Sequence, residues 1–226
     1  MAHVPASERR PQLVRAAIDL MTREGVSAGS TRAIAAELGV AQATVHYTFG
    51  TKKDLYRAVV EEVAAQFIGQ VRAASPGDGP FGEQVRTLVH ALWDAATGEE
   101  GRCVLLSEFG ALAMRDPDVR EIMLGLQRAI EGTATEMLAT LAATHGLTPA
   151  LPAERIAVHF LSGFDGLTAR HLIRRQPGEQ PDRNTVEALD LLVASTVGLC
   201  LGEPATEDRP QAQGRARSTP RAQPQS

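Results

Sequence analysis

Thr31-Arg32-Ala33-Ile34-Ala35-Ala36-Glu37-Leu38-Gly39-Val40-Ala41-Gln42-Ala43-Thr44-Val45-His46-Tyr47-Thr48-Phe49 is the stretch that decides the architecture. Ile34 and Leu38 are four residues apart and share one helix face. Ala35 beside them is small enough to let a second helix cross closely. Gly39 follows Leu38 where a helix ending in the left-handed conformation wants a residue without a Cβ. Ser30 and Thr31 stand where side-chain oxygens cap the free N–H groups of a helix start. Val40 and Val45 supply apolar anchors beyond the turn. The spacing predicts two short helices joined at Gly39, the second turning Gln42, Ala43, Thr44, His46 and Tyr47 outward. Such a helix suits the major groove of DNA, where Gln pairs with adenine and Thr or Ala packs against a thymine methyl. The same spacing also occurs in ordinary helical hairpins, so the flanks have to decide.

Upstream, Leu13, Ala17, Leu20 and Met21 recur at helical spacing from about Ser7 to Glu24, with Arg9, Arg10, Arg15 and Arg23 among the polar positions. Gly25 closes that helix. Downstream, Gly50 breaks the second short helix, Thr51 caps the next one, and Lys52 falls in its first turn. A cation there opposes the helix dipole, which points to an anionic partner outside the chain, and a phosphate is the natural one.

Taken together, residues from about 9 to 57 resemble the DNA-binding domain of the TetR family of bacterial transcriptional regulators. The marks are Ala-Ala-Ile-Asp-Leu-Met before Gly25, Ser30-Thr31 with Ile34-Ala35, Leu38-Gly39-Val40, Val45-His46-Tyr47-Thr48-Phe49, and Lys52-Lys53-Asp54-Leu55. The resemblance implies an all-α protein: an N-terminal three-helix helix-turn-helix domain and a C-terminal helical domain that binds a small molecule and dimerises. Members are usually repressors released by their ligand. Carried over by position, Arg32 and Gln42 are the base readers, while Thr31, Thr44, His46, Tyr47 and Lys52 position the backbone. Ser30, Ala43 and Thr48 complete the candidate DNA-facing set. His46, Thr48 and Gly29 depart from the residues most common in the family, which bears on the operator sequence.

Charge agrees in sign. Residues 1–57 hold eight Lys/Arg against five Asp/Glu, and residues 58–202 hold eleven against nineteen. Phosphate neutralisation by the basic end would make binding fall steeply with salt. The sequence shows no run of about 18 uncharged apolar residues and no signal-peptide core at its start, so the expectation is a cytoplasmic protein with no membrane span. Cys103 and Cys200 lack metal-ligand spacing and read as small buried apolar residues. No cofactor and no metal are expected. No nucleophile elbow, phosphate loop or His-Glu-x-x-His motif appears, and Gly163-Phe164-Asp165-Gly166 lacks the strand-turn-helix setting of a nucleotide site, so an enzyme is not expected.

Beyond Leu55 the pattern stays helical, giving about nine helices. Leu55, Val59, Val63, Phe67 and Val71 recur every four residues along a lever helix at 52–74. Further helices are expected at about 81–97, 101–114, 117–145, 153–175 and 183–201, with breaks at Gly98, Asp116-Pro117 and the Pro/Gly segments. Residues 203–226, rich in Pro, Gln, Arg and Ala, read as a disordered tail. The expected division is a helix-turn-helix domain at 1–57, a ligand-binding and dimerisation domain at 58–202, and the tail.

The last two helices carry broad apolar stripes, and Phe160, Phe164, Leu167, Leu189, Val193 and Val197 are the candidate homodimer interface, as part of a four-helix bundle. Two recognition helices would then sit roughly 34–36 Å apart, or a multiple of that, on a near-palindromic operator. Phe67, His90, Trp93, Phe109 and Met114, with Arg102, His159 and Asp165 as polar anchors, are candidates to line a pocket for a small, moderately apolar effector; Phe81, Glu108 and His171 belong to the same pool. His159 and His171 lie twelve residues apart on one helix and cannot share a metal within one chain. The partners implied are double-stranded DNA, an effector and a second copy. A ligand-responsive activator of the same fold and a helical protein-interaction module are the alternatives.

Overall fold

The structure is a computed structural model that describes residues 6–74, 77–98, 100–174 and 183–202. Among them are nine helices and no strand: α1 Ala6–Glu24, α2 Thr31–Glu37, α3 Gln42–Phe49, α4 Lys52–Ala73, α5 Phe81–Gly98, α6 Glu100–Ala113, α7 Pro117–Thr144, α8 Ala153–Arg174 and α9 Arg183–Leu201. The expected boundaries hold to within a residue or two. A short 3-10 turn at Val26–Ala28, which periodicity could not signal, links α1 to α2. The expected tail lies outside the described residues.

Local chemistry explains the helix-turn-helix. Ser30 Oγ accepts from Ala33 N at 3.1 Å and caps α2. At the other end Gly39 has φ +63°, a conformation costly for any residue with a Cβ. Val40 N then donates to Ala35 O and Gly39 N to Ala36 O, closing the helix in a Schellman arrangement. Ile34 and Val45 are fully buried and hold α2 against α3. Gly29 is also explained: a Cβ there would meet the Met21 side chain. The departure from the family's usual residue therefore serves a close approach of the 3-10 turn to α1.

Two apolar clusters hold the chain together. The first joins α1 to α4 with α6 and the start of α7: Leu13, Ile18, Ile34, Val45, Leu55 and Val59 share it with Leu105, Phe109, Val119 and Ile122. The core therefore runs on past residue 57. Tyr56 meets Phe109 edge to face at 5.1 Å, its hydroxyl donates to Val26 O at 3.4 Å, and Val26 N donates to Glu108 Oε2 at 2.8 Å. The second cluster packs α5 against α8 and α9, through Phe81, Trp93, Ile156, Phe160, Phe164, Leu189 and Val193.

That second cluster corrects the expected dimer face. Phe160, Phe164, Leu189 and Val193 are buried within one chain, and Leu167 and Val197 are half-buried against them. The bulk of Phe160, Phe164, Leu189 and Val193 is spent within the same chain, so these four do not form the surface offered outward. The outward side of α8 carries Val158, Ser162, Gly166, Ala169 and Ile173; that of α9 carries Leu191, Ala194, Ser195 and Leu201. His159 Nε2 lies 3.2 Å from Ser195 Oγ and ties the two stripes together.

The last helix, α9, is apolar for its length. With a mean hydropathy of 1.4 over its apolar window, it is long and apolar enough to cross a membrane by composition alone. It carries Arg183, Glu187 and Asp190, so it is not an uncharged run. In the fold α9 packs against α8 and α5, and Asp190 pairs with Arg86.

Candidate nucleic-acid interface

The recognition surface is built on α3. Val45 and Phe49 point inward and fix its rotation. The helix period then turns Gln42, Ala43, His46 and Tyr47 to solvent, with Tyr47 93% exposed. At that exposure Tyr47 takes no part in the packing of α2 against α3. Gln42 Nε2 donates to Thr31 Oγ1 at 3.1 Å, so the first residues of α2 and α3 form one polar edge. Arg32, next to Thr31 on α2, is exposed. Thr44 and Thr48 are half-buried, and the Thr48 hydroxyl donates to Thr44 O at 2.8 Å. The Ser30 hydroxyl is engaged in its cap. These two hydroxyls serve their own helices first.

Positive charge flanks this edge. Thr51 caps α4 by accepting from Asp54 N. Lys52 is exposed in the first turn, its ammonium 5.0 Å above the Tyr56 ring. Lys53, next to it, is used differently. Its ammonium sits 2.9 Å from Asp118 and 2.8 Å from Glu121, at the start of α7. Arg57 reaches Glu121 at 3.3 Å and Asp54 at 3.5 Å. Glu121 raises the Lys53 pKa and Asp118 adds to this; Lys53 in turn holds the Glu121 carboxyl below the usual carboxylate range. This network between α4 and α7 escaped the sequence reading, because its partners lie more than sixty residues apart. Lys52→Ala is expected to lower the salt slope of operator binding by about one. An unchanged slope in a fluorescence-anisotropy salt series would remove Lys52 from the interface.

The candidate effector residues do not converge. Phe109 is fully buried in the first cluster beside Tyr56, and Phe67 is half-buried against that cluster. Met114 is 77% exposed at the end of α6. His90 is half-buried on α5. Arg102 donates to Gln66 Oε1 at 2.6 Å. Glu108 is engaged with Val26, and Phe81 packs edge-on to His145. His159 faces outward while His171 is buried, so the two sit on different faces of α8. Trp93 lies against Phe164 and His171. Asp165 stands near Cys103: burial, and then this carboxylate, push the Cys103 thiol up to about 11, and burial raises the Asp165 carboxyl as well. Burial also raises the Cys200 thiol, so both cysteines stay protonated near neutrality. Two cavities, of about 280 and 410 Å³, lie between α1 and α4 and at the α7–α8 corner, away from these residues.

Residues 13–59 match the profile of the bacterial regulatory proteins of the tetR family. Residues 81–198 match that of the C-terminal domain of BetI-type transcriptional repressors. The nicotine-responsive transcriptional repressor HdnoR of Paenarthrobacter nicotinovorans is 27% identical over 168 residues, spanning 73% of this chain and 84% of its own length. The transcriptional regulator BetI of Rhizobium meliloti (strain 1021) is 27% identical over 169 residues, spanning 75% and 80%. A transcriptional regulator from Rhodococcus sp. Rha1 superimposes with a TM-score of 0.67 at 19% identity, over 83% of this chain and 95% of that one. At that identity the likeness speaks to the fold.

Proposed function

The chain belongs to the TetR family of bacterial regulatory proteins, and from that premise we propose how it works. It is a DNA-binding transcriptional regulator of the repressor type, responsive to a ligand. The observation that carries the DNA-binding role is the exposed polar edge of Arg32, Gln42, His46 and Tyr47 on a rigid two-helix frame, with Lys52 beside it. Arg32 and Gln42 read base edges; Thr44, His46, Tyr47 and Lys52 hold phosphates and set the register. Residues 1–57 carry this activity and residues 58–202 sense and pair.

The working unit is a homodimer in the cytoplasm. Support comes from the outward stripes of α8 and α9, where small residues permit close approach and Ile173 and Leu191 are 84% and 70% exposed. A twofold axis through these stripes pairs two recognition helices on a near-palindromic operator. The effector is a small, moderately apolar molecule; the relative whose name marks it as nicotine-responsive supports a small organic compound of that kind. Its binding shifts the dimer between an arrangement that fits successive major grooves and one that does not, with a coupling of about 1–3 kcal/mol. The shared core of α1, α4, α6 and α7, with the Lys53–Glu121 network, is the route by which a change in the sensing helices reaches α4.

Arg32→Ala provides the test. It is expected to cost about 1–3 kcal/mol on the operator and to relax specificity at one base position. Footprinting and binding to single-base operator variants measure this. Uniform weakening on every sequence would make Arg32 a phosphate contact, and no weakening at all would remove the edge from the DNA.

A further inference from the structure

Phe160, Phe164, Thr168 and His171 line one stripe of α8, each more than nine-tenths buried. Trp93 of α5 meets two of them edge-on, with ring centroids 6.0 Å from Phe164 and 5.2 Å from His171. Thr168 lies four residues after Phe164 and three before His171, so it shares their helix face. Its hydroxyl is buried and has no hydrogen-bond partner among the described residues. The usual outlet for a helical hydroxyl, the carbonyl four residues back, is taken by Thr97, Ser162 and Thr196 in the neighbouring helical segments. Thr168 does not take it. A buried hydroxyl left unpaired is unfavourable, and a partner that enters its site recovers the difference.

Resting on the reading that an effector controls this repressor, we propose that Thr168 Oγ1 is the hydrogen-bonding anchor of the effector subsite, walled by Trp93, Phe164 and His171, and that the subsite takes a small planar ring bearing one hydrogen-bonding heteroatom. The tilted rings of the wall accept a further ring by edge or by face. The hydroxyl donates or accepts as the ligand demands. A hydrocarbon of the same shape would leave it unpaired, so the site discriminates by one hydrogen bond. Because the wall rings are already in contact, the ligand enters by parting Trp93 from His171, which changes the α5–α8 packing directly.

Trp93 is the single tryptophan of the chain, so its emission reports on this wall alone. Pyridine and benzene, alike in shape and different in one acceptor nitrogen, are titrated against the full-length protein. Pyridine is expected to change the emission saturably, with benzene at least about fivefold weaker. Thr168→Val is expected to bring the two within about twofold, without lowering the melting temperature, and Thr168→Ser to restore the preference. An unchanged preference in Thr168→Val, or no saturable emission change with either ring, overturns the subsite. Operator binding with and without nicotine or pyridine separates this from the broader reading. Release of the operator with Trp93 emission and Thr168 both indifferent leaves effector control standing and removes the subsite. Ring binding that follows Thr168 but never alters operator affinity keeps the subsite and removes the control.

Discussion

Phe109→Ala is expected to destabilise the protein by about 3–5 kcal/mol, the usual cost of emptying a buried aromatic site. Phe109 is fully buried, and it is the ring against which Tyr56 of the lever helix packs. It also sits one residue from Glu108, whose carboxylate receives the Val26 N–H. Losing the ring leaves a cavity where α1, α4 and α6 converge. Urea unfolding followed by the helical circular-dichroism signal measures the change. A loss below about 1 kcal/mol would mean that the site collapses around the gap and that Phe109 is not the joint between the DNA-facing helices and the rest. Operator affinity is expected to fall with it, because the orientation of α4 depends on that joint.

Leu191→Glu is expected to abolish the homodimer while leaving the single chain folded. Leu191 is 70% exposed in one chain, so a surface substitution there changes monomer stability by only about 0.5 kcal/mol. In a paired α8–α9 seam the same carboxylate would be buried without a partner. Joining two DNA-reading modules raises overall affinity by roughly 10²–10⁴, and that gain is forfeited when the pair separates. Sedimentation velocity and gel shift at one fixed salt concentration measure both effects. A Leu191→Glu protein that stays dimeric with full operator affinity would place the seam elsewhere.

The helix-turn-helix was legible because all its information is local. Ser30 as a cap, Gly39 at a positive φ and the Ile34–Leu38 spacing each constrain the chain within one or two turns. With Val45 as an inward anchor, the helix period turns Gln42, Ala43, His46 and Tyr47 outward, as expected, while Thr44 is half-buried. The effector candidates were not legible in the same way. Phe109, Trp93 and Phe67 are all large apolar residues at helical spacing, and nothing in a single helix says which neighbouring helix such a residue meets. Four of the expected interface residues, Phe160, Phe164, Leu189 and Val193, are buried within the chain for a related reason. A stripe of Phe and Leu marks the side of a helix that is buried, and within-chain packing satisfied it first. The outward sides of α8 and α9 carry small residues such as Ser162, Gly166 and Ala194, which give little hydrophobic signal.

The amino-acid order alone therefore determined the helices, their ends, the polar edge of α3 and the kind of molecule that edge fits, since capping, periodicity and turn chemistry act over a few residues. Only the tertiary structure decided that Phe109 packs on the lever helix, that Lys53 and Arg57 are held by Asp118 and Glu121, and that the buried Thr168 hydroxyl is left unpaired on the helix face that carries Phe164 and His171. Those facts depend on contacts between segments far apart in the chain. Such contacts are chosen by the packing of whole helices, and no short window of sequence contains both sides of one.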